Sequence, residues 1–181
     1  MSGLANRIEA AYQEAKSGRW KDVMALWADA PAVARRCSRF QKETSGWTFL
    51  HQAAYFGHEK ACLELIRLGA AVSALSVTRE SPAEVAAKHG HSNIVALLRR
   101  AHVDEESLWS APSDPDVLPS SHAWNDATER RAAENLYVAY AGGTLEILRG
   151  SRYYVDAFER VLVGWHGTYD PPYGMDDMPL I

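Results

Sequence analysis

Cysteine is scarce in this chain: Cys37 and Cys62 are the two thiols in 181 residues. Two thiols cannot build the multi-bridge framework of a small secreted scaffold, and neither has a metal ligand at zinc spacing. Both read as buried or half-buried groups in a reducing compartment. Basic excess is lacking too, since 19 Lys and Arg against 23 Asp and Glu give a net charge of −4. That balance excludes a general nucleic-acid binder, which needs a basic footprint. No apolar run reaches membrane-spanning length. The opening stretch lacks the charged-then-apolar order of a secretory leader, so the expected setting is the cytoplasm, away from membranes. Glycine-rich phosphate loops are missing, and no Ser, Cys or Lys nucleophile stands at an informative spacing from a base. No cofactor and no metal is expected.

What the chain does contain is ordinary globular material, 47% hydrophobic and 23% charged, enough for one or two small domains. Its most informative stretch is 43–73. Gly46 and Thr48-Phe49-Leu50-His51 precede Ala53-Ala54, then Gly57-His58, an apolar run over 61–66, and Gly69-Ala70. The order reads as a tight turn, a short helix with small residues on one side, a glycine break, and a second amphipathic helix closed by glycine. Thirty-three positions on, the pattern returns: Thr48 maps to Ser81, Phe49 to Pro82, Ala53-Ala54 to Ala86-Ala87 and Gly57-His58 to Gly90-His91. The copy is weakened, with Ala83-Glu84 at the Leu-His pair and Arg79 at the turn glycine.

These residues resemble the ankyrin repeat, a turn-plus-two-helices unit of about 33 residues with a T-P-L-H-x-A core. Phe49 stands where that family usually has proline. One unit cannot bury its own apolar face, so neighbours must stack on it. Residues 4–30 read as a degenerate first repeat, a helix pair broken at Ser17-Gly18, with Gly18 aligned to Gly57 at an offset of 39. The segment 30–42, with Arg35, Arg36, Arg39 and Lys42, is expected to be a solvated finger between repeats, with an anion site as the sharper alternative.

Domain organisation follows: 1–109 as the ankyrin-repeat domain, 110–124 as a Pro/Ser-rich linker, and 125–181 as a short helix plus a β-rich extension. Asn125 opens the expected helix over 125–135. Runs at 136–140, 144–148, 152–155 and 161–165, separated by glycine-bearing turns, are the signature of a meander. The expected fold class is α+β, a short stack of about three ankyrin repeats followed by a small antiparallel β-meander.

Histidines invite catalytic readings that mostly fail. By resemblance, His51 is the hydrogen-bonding histidine of the T-P-L-H turn, and His58 and His91 hold the Gly-His position. His89 and His91 lack a carboxylate or thiol to complete a metal set. Gly164-Trp165-His166-Gly167-Thr168-Tyr169 is similar to the nicotinamide edge of poly-ADP-ribosyl-transferring enzymes, yet no glutamate follows His166. A strand-end histidine in a turn is the better account.

The resemblance implies a binding surface instead. Ankyrin repeats bind proteins through turn tips and inner helices, which places Thr44, Ser45, Trp47, Tyr55 and Phe56 in one repeat on that surface. Val77, Thr78, Glu80, Lys88 and His89 hold those places in the next. Large aromatics at such positions are enriched in interface hot spots. Either a protein partner or the carboxy-terminal strands cover them. The expected function is a stoichiometric adaptor or inhibitor, an immunity or antitoxin-type protein being one form, and the mild acidity favours a basic partner. The alternative is an enzyme with a site around Asp156, His166, Tyr169 and Asp170. Edge pairing of the carboxy-terminal strands is a route to a homo-oligomer.

Overall fold

The computed structural model describes residues 2–105, 113–164, 167–172, 175–176 and 178. The chain divides into two compact units, Met1–His102 and Val103–Ile181.

The first unit is helical. α1 (Gly3–Lys16) and α2 (Trp20–Asp29) form a hairpin that reverses at Gly18. α3 (Pro31–Cys37) starts on a proline, whose missing N–H would be unpaired in a first turn anyway. Two further hairpins follow, α4 (Phe49–Phe56) with α5 (Glu59–Leu68), and α6 (Pro82–Lys88) with α7 (Ser92–Glu105). They keep the 33-residue register at both helix starts, Phe49 to Pro82 and Glu59 to Ser92. Thr48 and Ser81 cap α4 and α6 through capping boxes closed by His51 and Glu84. Tyr12, Phe40 and Phe49 pack their rings within 5.1–5.9 Å of one another, Tyr12 and Phe49 buried and Phe40 half-buried.

The segment 30–42 is not a solvated finger. Val33, Ala34 and Cys37 are buried, because their spacing makes one apolar stripe on a helix. Arg35 and Arg36 stay half-exposed on its other side. Burial pushes the Cys37 thiol up to about 11 and the Cys62 thiol up to about 12, so both remain protonated and unreactive near neutrality.

Successive repeat turns lock together. Gly46, at φ +70°, is so close to the next turn that a Cβ there would meet Val77 N at 2.7 Å and the Ser76 carbonyl carbon at 2.9 Å. Val77 N donates to Ser45 O at 2.9 Å. His51, fully buried, bridges the same turns. Its Nδ1 accepts from Thr48 N at 3.1 Å, so Nε2 carries the proton and donates to Glu80 O at 2.8 Å. Burial holds its pKa down to about 4. His58 caps α5 by accepting from Ala61 N and stacks on Trp20 with ring centroids 5.7 Å apart. His91 lies against Gly57 and donates from Nε2 to Tyr55 O at 3.0 Å. All three histidines have structural work.

The second unit holds the small, mostly antiparallel sheet that makes the fold α+β, but its strands are not ordered as a simple meander, and the short first strand, at 120–121, pairs in parallel. β1 (Ser120–Ser121), β2 (Thr128–Arg131), β5 (Arg152–Val155) and β6 (Val161–Leu162) form a sheet in the order β1-β6-β5-β2. β3 (Leu136–Tyr140) and β4 (Gly143–Ile147) pair as a separate hairpin. Leu118 joins the two, donating to Tyr137 O at 2.7 Å and accepting from Ala139 N at 2.9 Å. Residues 118–121 are therefore buried, paired backbone rather than linker. The helix expected over 125–135 is absent. A 3₁₀ turn at Trp124–Asp126 leads into β2, each residue of which pairs with β5. The helix-favouring composition loses there to ladder pairing and to the ion pair of Arg130 with Glu159 at 2.5 Å.

Asp156 and Arg160 close the turn between β5 and β6. Asp156 Oδ1 accepts from the backbone N of Phe158 and Arg160, and Oδ2 accepts from Arg160 Nε at 2.9 Å, all buried. Asp156 is thus committed to the turn. Tyr169 is half-buried and Asp170 exposed. Gly164 N donates to Thr168 O at 2.6 Å, closing a turn. Trp165 and His166 lie outside the described residues, as do 106–109.

Two stability tests follow from the turn lock. Arg79 holds the position of Gly46 and sits at φ +62°, in a left-handed conformation that costs a non-glycine residue about 1–2 kcal/mol. In urea unfolding, Arg79→Gly is expected to stabilise by about 0.5 kcal/mol after glycine's extra unfolded-state freedom. Gly46→Ala is expected to destabilise by at least about 2 kcal/mol. The opposite signs are the test.

His51 binds a proton more readily unfolded, near 6.5, than folded, near 4. Its stabilising contribution is full above the unfolded value and is lost as pH falls from about 6.5 towards 4, about 3 kcal/mol at most. His51→Gln is expected to flatten that part of the stability–pH curve.

Candidate partner-binding groove

Five of the ten sequence-predicted residues come together in one place. Thr44, Ser45, Trp47, Tyr55 and Phe56 line an open groove of about 480 Å³ in the first unit. Each is placed by a local feature. Thr44 and Ser45 sit at the tip of a hairpin closed by Lys42 N donating to Trp47 O and Gly46 N donating to Lys42 O. Tyr55 and Phe56 end α4, just before Gly57 turns the chain at φ +67°.

The aromatic side chains form a ridge. Trp47 lies 5.6 Å from the His51 ring and 6.0 Å from the Tyr55 ring. Tyr55 meets Phe56 edge-on at 4.9 Å and continues to His89 at 4.1 Å. Tyr55 and Phe56 are each 39% exposed, while Phe49, Leu50, Ala53 and Ala54 of the same helix are buried. His51 and Gln52 are buried as well, so the stack encloses α4 on every side over 49–54 and leaves only its last two residues open to solvent.

The second predicted set borders the groove without lining it. Val77 is 64% exposed on the turn tip. Thr78 donates to a Glu80 carboxylate oxygen at 3.0 Å, and Glu80 is ion-paired with Lys88. His89 donates from Nδ1 to Val85 O at 2.9 Å. The 33-residue register makes Glu80 and Lys88 the counterparts of Trp47 and Tyr55. One position pair holds two aromatic rings in one repeat and a closed ion pair in the next. The first pair gains from being covered; the second is already satisfied.

Sequence reasoning missed the half of the groove built by α1 and by Lys42 and Gln52. Tyr12, Gln13 and Lys16 line it from α1. Gln52 Nε2 donates to Tyr12 Oη at 3.0 Å, forming a buried polar floor. Lys42 Nζ donates to Glu9 Oε1 at 2.5 Å, and Gln13 binds the same oxygen. That hydrogen bond from Lys42 holds the Glu9 carboxyl below its usual range. The signal was present: the offset relating Gly18 to Gly57 also sets Lys16 under Tyr55 and Gln13 under Gln52. Among the described residues no three His, Cys, Asp or Glu side chains converge as a metal site would require.

A turn, an inner helix, a glycine break and an outer helix, stacked at constant register with turns locked through histidine, define the class. Residues 23–107 match the family model of ankyrin repeats, in three copies, and that part of the chain is a set of ankyrin repeats. Repeats of this family are protein-interaction modules. The chain is similar to Calmodulin-binding transcription activator 3 of Arabidopsis thaliana, 33% identical over 126 residues that cover 59% of this chain and 12% of that protein. It is 38% identical over 89 residues to Calmodulin-binding transcription activator CBT of Oryza sativa subsp. japonica, covering 44% of this chain and 9% of the relative. The chain therefore spans a small part of the length of these relatives. No helix among the described residues is long and apolar enough to cross a membrane.

Because Tyr55 and Phe56 face solvent, Tyr55→Ala and Phe56→Ala are each expected to shift the urea midpoint by less than about 1 kcal/mol equivalent. Phe49→Ala, in the core of the same helix, is expected to cost about 3–5 kcal/mol.

Proposed function

We propose that this chain is a stoichiometric protein-binding module that captures a polypeptide partner in the groove beside α1 and α4, serving as an adaptor or as an inhibitor. The observation that carries the reading is the aromatic ridge in which half-exposed Trp47, on the turn before α4, meets Tyr55 and Phe56, exposed at the end of a helix that is otherwise buried. Apolar rings grouped this way gain by being covered, and aromatic anchors dominate interface energetics. An inhibitor of the immunity or antitoxin type is one form the role takes, and a cytoplasmic setting accords with it.

The calmodulin named for the relatives is not part of the proposal. Calmodulin targets are basic amphipathic helices. The longest described helices, α1 and α7, balance their charges, with Arg7 and Lys16 against Glu9 and Glu14, and Arg99 and Arg100 against Asp104 and Glu105. What the similarity supports carrying over is the repeat scaffold. Nor does an enzyme site in the second unit find support, since Asp156 is fixed in a turn by Arg160.

A photo-crosslinking residue at position 55, introduced into the chain in cells of its source, tests the role. The expected result is a crosslink to one predominant polypeptide at a one-to-one ratio, lost on Trp47→Ala. A crosslink to no polypeptide, or to many with no effect of Trp47→Ala, would contradict it.

A further inference from the structure

The groove differs in charge from the chain that builds it. The protein carries a net charge of −4, yet no Asp or Glu lines the groove, whereas Lys16 and Lys42 both do. The two lysines are not equivalent. Lys42 is neutralised by Glu9 at 2.5 Å. Lys16, exposed at the end of α1, makes no ion pair among the described residues. Its counterpart in the third repeat, Lys88, is neutralised by Glu80. The remaining lining is apolar or neutral: the faces of Trp47, Tyr55 and Phe56 above a Gln52–Tyr12 floor.

Exposed charges are screened over a Debye length of about 8 Å at physiological ionic strength. The charge a bound segment meets is therefore the local cation, not the acidity spread over the rest of the chain. Building on the protein-binding role proposed above, we infer that the groove's occupant is an acidic segment of a partner protein. Its carboxylate pairs with Lys16, and a neighbouring aromatic or large aliphatic side chain seats against Trp47, Tyr55 and Phe56. This reverses the preference for a basic partner that whole-chain composition suggests. The carboxylate supplies orientation and encounter rate, and the apolar side chain most of the affinity.

The test is selection of a display library of random peptides on the immobilised full chain, followed by fluorescence anisotropy of enriched peptides. Variants Lys16→Glu and Trp47→Ala are compared with Lys60→Glu, which makes the same charge change on an exposed site of α5. Enriched sequences are expected to place Asp or Glu beside Phe, Trp or Leu. Lys16→Glu is expected to weaken them by about tenfold, less so at high salt. Trp47→Ala weakens them as well, and Lys60→Glu changes them by less than about twofold.

Enriched peptides that lose affinity on Trp47→Ala but are basic or neutral, and indifferent to Lys16→Glu, overturn the acidic occupant while the groove stands. Peptides indifferent to both variants overturn the groove itself as the binding site. A selection that enriches nothing also overturns the inference.

Discussion

The hydrogen bond from the buried His51 side chain, through Nε2, to the Glu80 carbonyl is the constraint on which the rest of the helical unit depends. A repeat buries apolar surface only against its neighbours, and that burial is non-directional, so something must set the register at which hairpins stack. Here the turn does it. Gly46 admits the next turn's backbone at a distance no side chain would tolerate, Val77 N pairs with Ser45 O, and His51 ties the helix start to the following turn. A charged imidazole could not serve, because it has no lone pair for the Thr48 amide. Burial, which keeps His51 neutral, therefore makes the lock workable as well as stable.

Once the register is fixed, the inner helices present equivalent positions side by side, and their chemistry can be compared directly. The position of Tyr55 is lysine in the first repeat and lysine in the third. The position of Trp47 becomes glutamate in the third. Lys88 and Glu80 close on each other, while Tyr55 and Trp47 form an open aromatic pair and Lys16 stays unmatched among the described residues. The groove is thus a local departure from a self-satisfied surface, confined to the first two repeats. Such departures are what binding sites are made of, since covering them gains free energy that covering a closed ion pair does not.

Much of the helical unit was legible because its signals are local and repeated. Gly57 and Gly90, Thr48 and Ser81, and the small residues Ala53-Ala54 all mark turns and close packing that any reader of the period can place. The extra helix α3 was obscured by its arginines, which read as solvent-facing until Val33, Ala34 and Cys37 are seen as one stripe. In the second unit the signals are non-local. Residues 128–131 favour a helix alone and become a strand because β5 lies beside them. Ser120 and Ser121 carry no strand propensity, yet pair with β6 from forty residues away. The groove was half legible. Trp47, Tyr55 and Phe56 stood out as large aromatics at outward positions, but Lys16 and Gln52 take their meaning from a neighbouring repeat and look ordinary in their own.

Long-range ¹H–¹⁵N correlation of the imidazole nitrogens, followed through a pH titration, addresses the lock most directly. His51 is expected as the Nε2–H tautomer, neutral across the range where free histidine titrates and down to near pH 4, with a slowly exchanging Nε2 proton. An imidazolium at pH 6, or a proton on Nδ1, would contradict the account of how these repeats are held and of why the groove faces outward.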